Sequence, residues 1–303
     1  SVYFGFNINL IGTLYLIDPK ISFLCKMSSN KVKAHLSLLT TNIIYGANYL
    51  VAKGLMPGKI EASALVFLRI SGAGILFLML KYFIKDPVDK KDIPRLALCG
   101  LLGVATNQFF SMNGLSLTSP VDAAIIVTAM PIFTVVISYF LLKEPFTIQR
   151  ILGVLLGGSG AVLLIYLGNS GLGTGSLLGN IFICINALSF AFYLVLVKPL
   201  MSKYKPITVI AWTFSFGFIY IFPFSIEKLI HTDFSAFATF NWVSLIYVIA
   251  GPTFLAYLFN MYALQHVIPT VASSYIYVQP AVAMILVAII SYIIVDSPYK
   301  GDI

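Results

Sequence analysis

Gly114-Leu115-Ser116-Leu117-Thr118-Ser119-Pro120 joins an apolar run at 95–117 to another at 121–142, and Ala263-Leu264-Gln265-His266-Val267-Ile268-Pro269 joins a run at 242–264 to one at 270–295. The two stretches lie 149 residues apart, and the same shift lays Met112 on Met261, Ala123 on Ala272 and Pro131 on Pro280 without a gap. A shift of 144 pairs earlier runs, Asn42 with Asn186, Ala47 with Ala191 and Tyr49-Leu50-Val51 with Tyr193-Leu194-Val195. Lys53-Gly54-Leu55-Met56 resembles Lys198-Pro199-Leu200-Met201 at 145. Apolar sequences match by chance, so single identities say little. The order kept across four runs and the paired prolines indicate a duplicated unit.

The runs place that unit in a lipid bilayer. Of 303 residues, 59% are hydrophobic and 10% charged, and mean hydropathy is +0.95, whereas a soluble globule carries about 25% charged residues. Candidate spans fall at 34–53, 61–84, 95–117, 121–142, 151–168, 177–197, 207–226, 242–264 and 270–295, each close to the roughly 20 residues that cross hydrocarbon. They lack the alternation of barrel strands, and an unpaired amide in lipid is costly, so each is expected to be helical. Five spans per unit is an odd number, which turns the second unit upside down relative to the first. The expected fold class is therefore an all-α integral membrane protein, an inverted repeat of five-helix units with nine transmembrane helices present of an expected ten.

The first unit covers residues 31–168 and the second residues 177–303, which end where a tenth span would begin, as in a truncated sequence. Residues 1–30 are set apart as an N-terminal segment outside the fold. Val2 to Ile17 is short for a span and lacks the basic region of a signal peptide, and Met27-Ser28-Ser29-Asn30-Lys31 reads as a natural start. One extra span is the alternative.

Charge orients the spans. Lys31, Lys33, Lys81, Lys85, Lys90, Lys91, Arg95, Lys143, Arg150, Lys198, Lys203 and Lys205 fall on the side of the amino end, against Lys53, Lys59, Lys228 and Lys300 on the other. The positive-inside rule then makes the amino end cytoplasmic in a multi-pass protein of the cell membrane. The net charge of +8 is explained by these loops, and nucleic acid is not an expected partner. Cys25, Cys99 and Cys184 are too scattered for a disulfide framework or a metal site. No phosphate-binding Gly-x-x-x-x-Gly-Lys segment, His-Glu-x-x-His zinc motif or Gly-x-Ser-x-Gly elbow occurs. No cofactor is expected, and an integral membrane enzyme or a non-transporting scaffold stands only as the alternative to a carrier.

At this point the chain resembles the EamA family of the drug/metabolite transporter superfamily, over roughly residues 31–303. The resemblance rests on Phe67-Leu68-Arg69, on Gly114-Leu115 followed by Thr118-Ser119-Pro120, on Ala123 and Pro131, on Lys143-Glu144-Pro145, and on Gln279-Pro280 in the second half. It implies ten helices in two inverted repeats, a central cavity built from helices one to four and six to nine, and export of small metabolites such as amino acids across the cytoplasmic membrane. The expected partners are a small-molecule substrate and the bilayer, and the oligomeric state stays open.

The residues suited to such a cavity are polar groups inside spans, where an unsatisfied amide must face protein or water. Gly100, Gly103, Asn107, Ser111 and Gly114 share one face of the third span, read either as a cavity wall or as close helix packing through small residues. The eighth span repeats this with Pro252, Ala256, Asn260 and Ala263. Asn42, Gly46 and Tyr49 share a face of the first span, and Asn186, Phe190 and Tyr193 the matching face of the sixth; bridging amides between helices are the alternative. Pro131 and Pro280 are expected hinges, each freeing a carbonyl four residues back, at Val127 and Ile276. Tyr275, Tyr277 and Gln279 surround the second of them, with Ile126, Thr128 and Met130 as counterparts. Arg69 is the one cation well inside a span, read as a substrate or gating residue or as a side chain that snorkels outward. The expected substrate-binding set is thus Asn42, Tyr49, Arg69, Asn107, Ser111, Thr128, Asn186, Tyr193, Asn260, Tyr275, Tyr277 and Gln279. Glu61, Asp122 and Glu144 fall at span ends, so no titratable acid is central, and flux is expected to run down the substrate's own gradient or by exchange.

Overall fold

The structure is a computed structural model that describes residues 19–56, 58–145, 147, 148, 151–156, 158, 159 and 176–295. Among these residues every regular element is helical: α1 (Pro19–Leu55), α2 (Ala62–Tyr82), α3 (Ile93–Gly100), α4 (Asn107–Leu117), α5 (Pro120–Val127), α6 (Met130–Leu142), α7 (Leu177–Lys203), α8 (Pro206–Ile230), α9 (Thr239–Val248), α10 (Ala256–His266), α11 (Pro269–Ser274) and α12 (Val278–Val295). Five continuous stretches of the described residues are long and apolar enough to cross a membrane, Ala62–Tyr82, Asp122–Leu142, Leu177–Lys203, Pro206–Ile230 and Thr239–His266. Outward-facing Ile75, Leu78, Met79, Phe140, Ile219, Phe224 and Ile246 form the kind of apolar surface that water does not tolerate and lipid does. The described residues are all-helical, and the protein is a multi-pass membrane protein.

Two expectations about the helices change, and one expected span falls mostly outside the described residues. Helix α1 starts at Pro19 and so takes in residues 19–30, which the sequence set apart; no Gly or Pro follows Pro19 before Gly46 to interrupt it. The expected fifth span, 151–168, lies mostly outside the described residues, as do residues 1–18. The third and eighth spans are not plain α-helices. Leu101–Thr106 between α3 and α4, and Ile249–Leu255 between α9 and α10, are π-helical. In the second case Pro252 supplies the cause, since it cannot donate to the Val248 carbonyl four residues back. The Thr253 hydroxyl donates to that carbonyl instead, at 2.8 Å.

Positions 149 residues apart share other irregularities. Thr128 and Ala129 break the fourth span just before Pro131, and Tyr275–Tyr277 is a tight 3₁₀ turn just before Pro280. Lys53 Nζ donates to the carbonyls of Leu115 (2.7 Å), Ser116 (3.2 Å) and Thr118 (3.0 Å) at the end of α4, and Lys198 Nζ donates to Leu264 (2.5 Å) and Val267 (2.8 Å) at the end of α10. Both lysines were read as loop charges. They also satisfy carbonyls that a helix C-terminus leaves without donors, where the helix dipole favours a cation.

Packing is interleaved along the chain. Helix α1 is held by α10 and α12 from the far half of the sequence, α7 by α4 and α6 from the near half, and α2 runs along α8. At one end of the bundle Lys203 bridges to Asp92 (2.6 Å) and Asp89 (3.4 Å), Tyr204 donates to Asp92 at 2.6 Å, and the Lys205 amide donates to Asp86 at 2.9 Å. The lysine and tyrosine hold the Asp92 carboxyl below its ordinary range. Lys228 and Glu61 approach to 3.5 Å. The 86–92 loop thus shares an end with residues 203–205, and residue 61 with residue 228, as alternating spans require.

Candidate functional site

Between the interleaved helices lies a polar cavity with about 80 Å³ of room for water, several molecules' worth, since one needs roughly 10–15 Å³. Of the residues the sequence selects, Asn42, Tyr49, Arg69, Asn107, Ser111, Asn186, Asn260 and Gln279 line it. One hydrogen-bonded chain joins three of them across α1 and α12: Tyr49 Oη donates to Gln279 Oε1 (3.1 Å), Gln279 Nε2 to Asn42 Oδ1 (2.7 Å), and Asn42 Nδ2 to the Leu38 carbonyl (2.8 Å). On the opposite wall Asn186 Nδ2 donates to the Asn107 carbonyl at 3.0 Å.

The π-helical stretches hold lining residues from behind. Tyr257 Oη donates to the Gly103 carbonyl at 2.8 Å and itself accepts from Gln108 Nε2 at 3.3 Å. Gln108 and Tyr257 are themselves 149 residues apart. Arg69, buried rather than snorkelling, donates through Nε to Thr253 Oγ1 (2.9 Å) and through Nη1 to Met112 Sδ (3.0 Å). The hydroxyl that Pro252 makes necessary therefore also orients Arg69, the one charged group among the described lining residues.

The small face of the third span divides its labour. Side chains at Gly100, Gly103 and Gly114 would collide with Phe216, Tyr193 and Ile183 respectively, so the glycines are packing positions. Asn107 and Ser111 on the same stripe line the cavity. Gly46 likewise packs against Val282, where a Cβ would approach Val282 Cβ to 2.7 Å.

Thr128, Tyr193, Tyr275 and Tyr277 lie outside this cavity. Thr128 Oγ1 turns back to the Ile125 carbonyl (2.6 Å), and Tyr193 is wholly buried behind Gly103 with its hydroxyl 3.3 Å from Met261 Sδ. Tyr275 meets His35 Nδ1 at 2.8 Å and Tyr277 donates to the Val154 carbonyl at 3.0 Å. The 3₁₀ turn points Ile276 into the cavity, and so its two tyrosine neighbours splay away. Pro131 and Pro280 are buried beside the two breaks. The sequence reading passed over Tyr45, Asn48, Gln108, Met112 and Tyr257, all of which line the cavity. Tyr45 was accessible, one turn from both Asn42 and Tyr49, whereas Asn48, Gln108, Met112 and Tyr257 each follow or precede a residue of the chosen polar or small faces and lie on the adjoining side of its helix.

Comparison with known proteins now adds the family. The model of the EamA-like transporter family matches residues 32–166 and again residues 177–293. The chain belongs to the EamA-like transporter family. Among relatives of this EamA-like chain, the uncharacterized transporter YetK of Bacillus subtilis is 26% identical over 273 residues, covering 88% of the chain and 81% of that protein. The uncharacterized transporter YdfC of the same organism is 31% identical over 229 residues, 75% of the chain and 72% of that protein. A protein of Streptantibioticus cattleyicolor named probable terminal-alkyne amino-acid exporter is 22% identical over 196 residues, 65% and 64% of the two chains. A crystal structure matches with a TM-score of 0.65 at 18% identity, over 88% of this chain and 89% of that one; it supports the fold alone. The protein is a membrane transporter, as its family and relatives are.

Proposed function

We propose that this EamA-like protein is a secondary carrier that exports small metabolites, amino acids or similar amphipathic solutes, across the cytoplasmic membrane by alternating access. The observation that carries the reading is the cavity: polar residues from both halves of the chain converge inside a lipid-faced bundle, where polar groups without function are rare. The two halves act as inverted five-helix repeats with the amino end cytoplasmic. That reading is supported by the paired π-helical turns, the paired lysine caps and the reciprocal grip of α10 and α12 on α1 and of α4 and α6 on α7. Rocking of one repeat against the other would expose the cavity to each side in turn, with Pro131 and Pro280 as the hinges. Amino-acid export is also what the printed name of the Streptantibioticus relative states of that protein.

The test is flux of a radiolabelled panel of amino acids and amphipathic metabolites in proteoliposomes. Asn107→Ala and Gln279→Ala should lower transport with insertion unchanged. Normal flux in both variants would remove this cavity as the substrate path.

A further inference from the structure

The charge balance of the cavity narrows the substrate further. Arg69 sits well inside α2 and is 3% exposed, and a buried guanidinium is normally paired with an acid because losing its hydration is costly. Its hydrogen-bond partners among the described residues are neutral, a hydroxyl and a thioether, the latter a weak acceptor. Its ionisable neighbours are the phenols of Tyr45, Tyr247 and Tyr257. Among the described lining residues there is neither Asp nor Glu. Nη2 makes no hydrogen bond among the described residues, so half of the fork that binds carboxylates side-on stays open. On the same cavity, the amide oxygens of Asn48 and Asn260, in side chains 5% and 6% exposed, have no donor among the described residues.

We propose that Arg69 is the subsite for a carboxylate and that the transported solute is a small organic monoanion bearing a hydroxyl or amide donor, rather than a zwitterion. The inference rests on the carrier reading above, keeps its alternating-access cavity and replaces its amino-acid solutes with small organic anions. A monoanion brings the cavity to net neutrality, and its donor meets the vacant amide oxygens. A zwitterion leaves the net charge at plus one and buries an ammonium beside a guanidinium. The hydroxyl of Thr253, anchored on the Val248 carbonyl, holds the guanidinium by Nε, so the open edge has a fixed direction.

The experiment compares L-lactate, lactamide, L-alanine and alaninamide on the purified full chain, by thermal stabilisation in detergent and by flux in proteoliposomes under an imposed potassium diffusion potential. Lactate should stabilise at concentrations about tenfold or more below lactamide and alanine, the scale of a hydrogen bond to a charged group. Its flux should change with the sign of the potential, and Arg69→Gln should lose both effects while Arg69→Lys keeps the preference for lactate over lactamide. If Arg69→Gln does not fold, the ranking on the unaltered chain and Arg69→Lys decide. Equal or better binding of alanine or lactamide, undiminished lactate binding in Arg69→Gln, or no binding by any of the four would overturn the anion site. Lactamide flux equal to lactate flux would sink the anion and leave the carrier. Lactate stabilisation without flux would sink the carrier and leave the anion site.

Discussion

Replacing Gly103 by Ala tests how closely the third span packs on the sixth. A Cβ at Gly103 would overlap the Tyr193 ring, lying 2.6 Å from Cε2 and closer still to Cγ and Cδ2, where carbon atoms prefer about 3.5–4.0 Å. The ring has little room to yield. It is fully buried, its centroid is 5.5 Å from that of Phe190, and its hydroxyl meets Met261. Overpacking of this kind costs about 1–3 kcal/mol and occasionally more, so Gly103→Ala should lower the melting temperature of the purified protein measurably. The cost should be smaller when Tyr193 is replaced by Leu, which vacates the ring edge. A double-mutant cycle should return a favourable coupling of about 0.5–3 kcal/mol, the range for residues in contact. A Gly103→Ala protein as stable as the parent, or strict additivity with Tyr193→Leu, would refute the close approach and return Gly103 to the cavity wall.

Three further outcomes follow from the same geometry. Tyr257→Phe strips the donor from the Gly103 carbonyl and the acceptor from Gln108, and should destabilise the protein in a melting assay by about 1 kcal/mol, a typical value for a hydrogen bond between membrane helices; no change would show that water replaces the phenol. Because the Asp92 carboxyl is held below its ordinary range by Lys203 and Tyr204, its tie should be complete at neutral pH and fail only as pH drops below about 3.9, the usual carboxylate value. Spin labels at positions 85 and 202 should report that separation, and Asp92→Asn should weaken its pH dependence, leaving only what the Asp89–Lys203 and Asp86–Lys205 contacts contribute. Finally, an imposed pH gradient should not drive accumulation, since the cavity lining holds no carboxylate among the described residues. Asp122 is the group to watch, because it is buried in the first turn of α5 although Ser119 caps that helix end as a terminus. Proton-driven accumulation abolished by Asp122→Asn would overturn the expectation.

Much of the architecture is legible in the sequence because hydropathy is local and additive. Any run of about 20 apolar residues must become a helix in lipid, whatever surrounds it. The spacing of 149 residues could be read for the same reason, since paired prolines such as Pro131 and Pro280 act on their own helix. Polar residues inside spans also announce themselves, which is why Asn42, Asn107, Asn186, Asn260 and Gln279 could be gathered in advance and are found around one cavity. Which way each helix turns is a different matter. Lipid-facing and protein-facing sides are both apolar here, so composition hardly distinguishes Phe77, fully buried, from Leu78, half exposed.

A single added residue in a π-helical turn rotates all that follows by about 100°, the angle per residue of an α-helix. The third and eighth spans each contain such a turn, and it brings Gln108 onto Tyr257. The 3₁₀ turn at 275–277 likewise turns Tyr275 and Tyr277 away from the cavity and Ile276 toward it. The sequence by itself determined the solvent, the helices and the polar residues that had to be sheltered. The tertiary structure alone decided which of them share the cavity with Arg69, because the phase of each helix is set by long-range partners, such as Thr253 for Arg69 and Met261 for Tyr193, that no local pattern encodes.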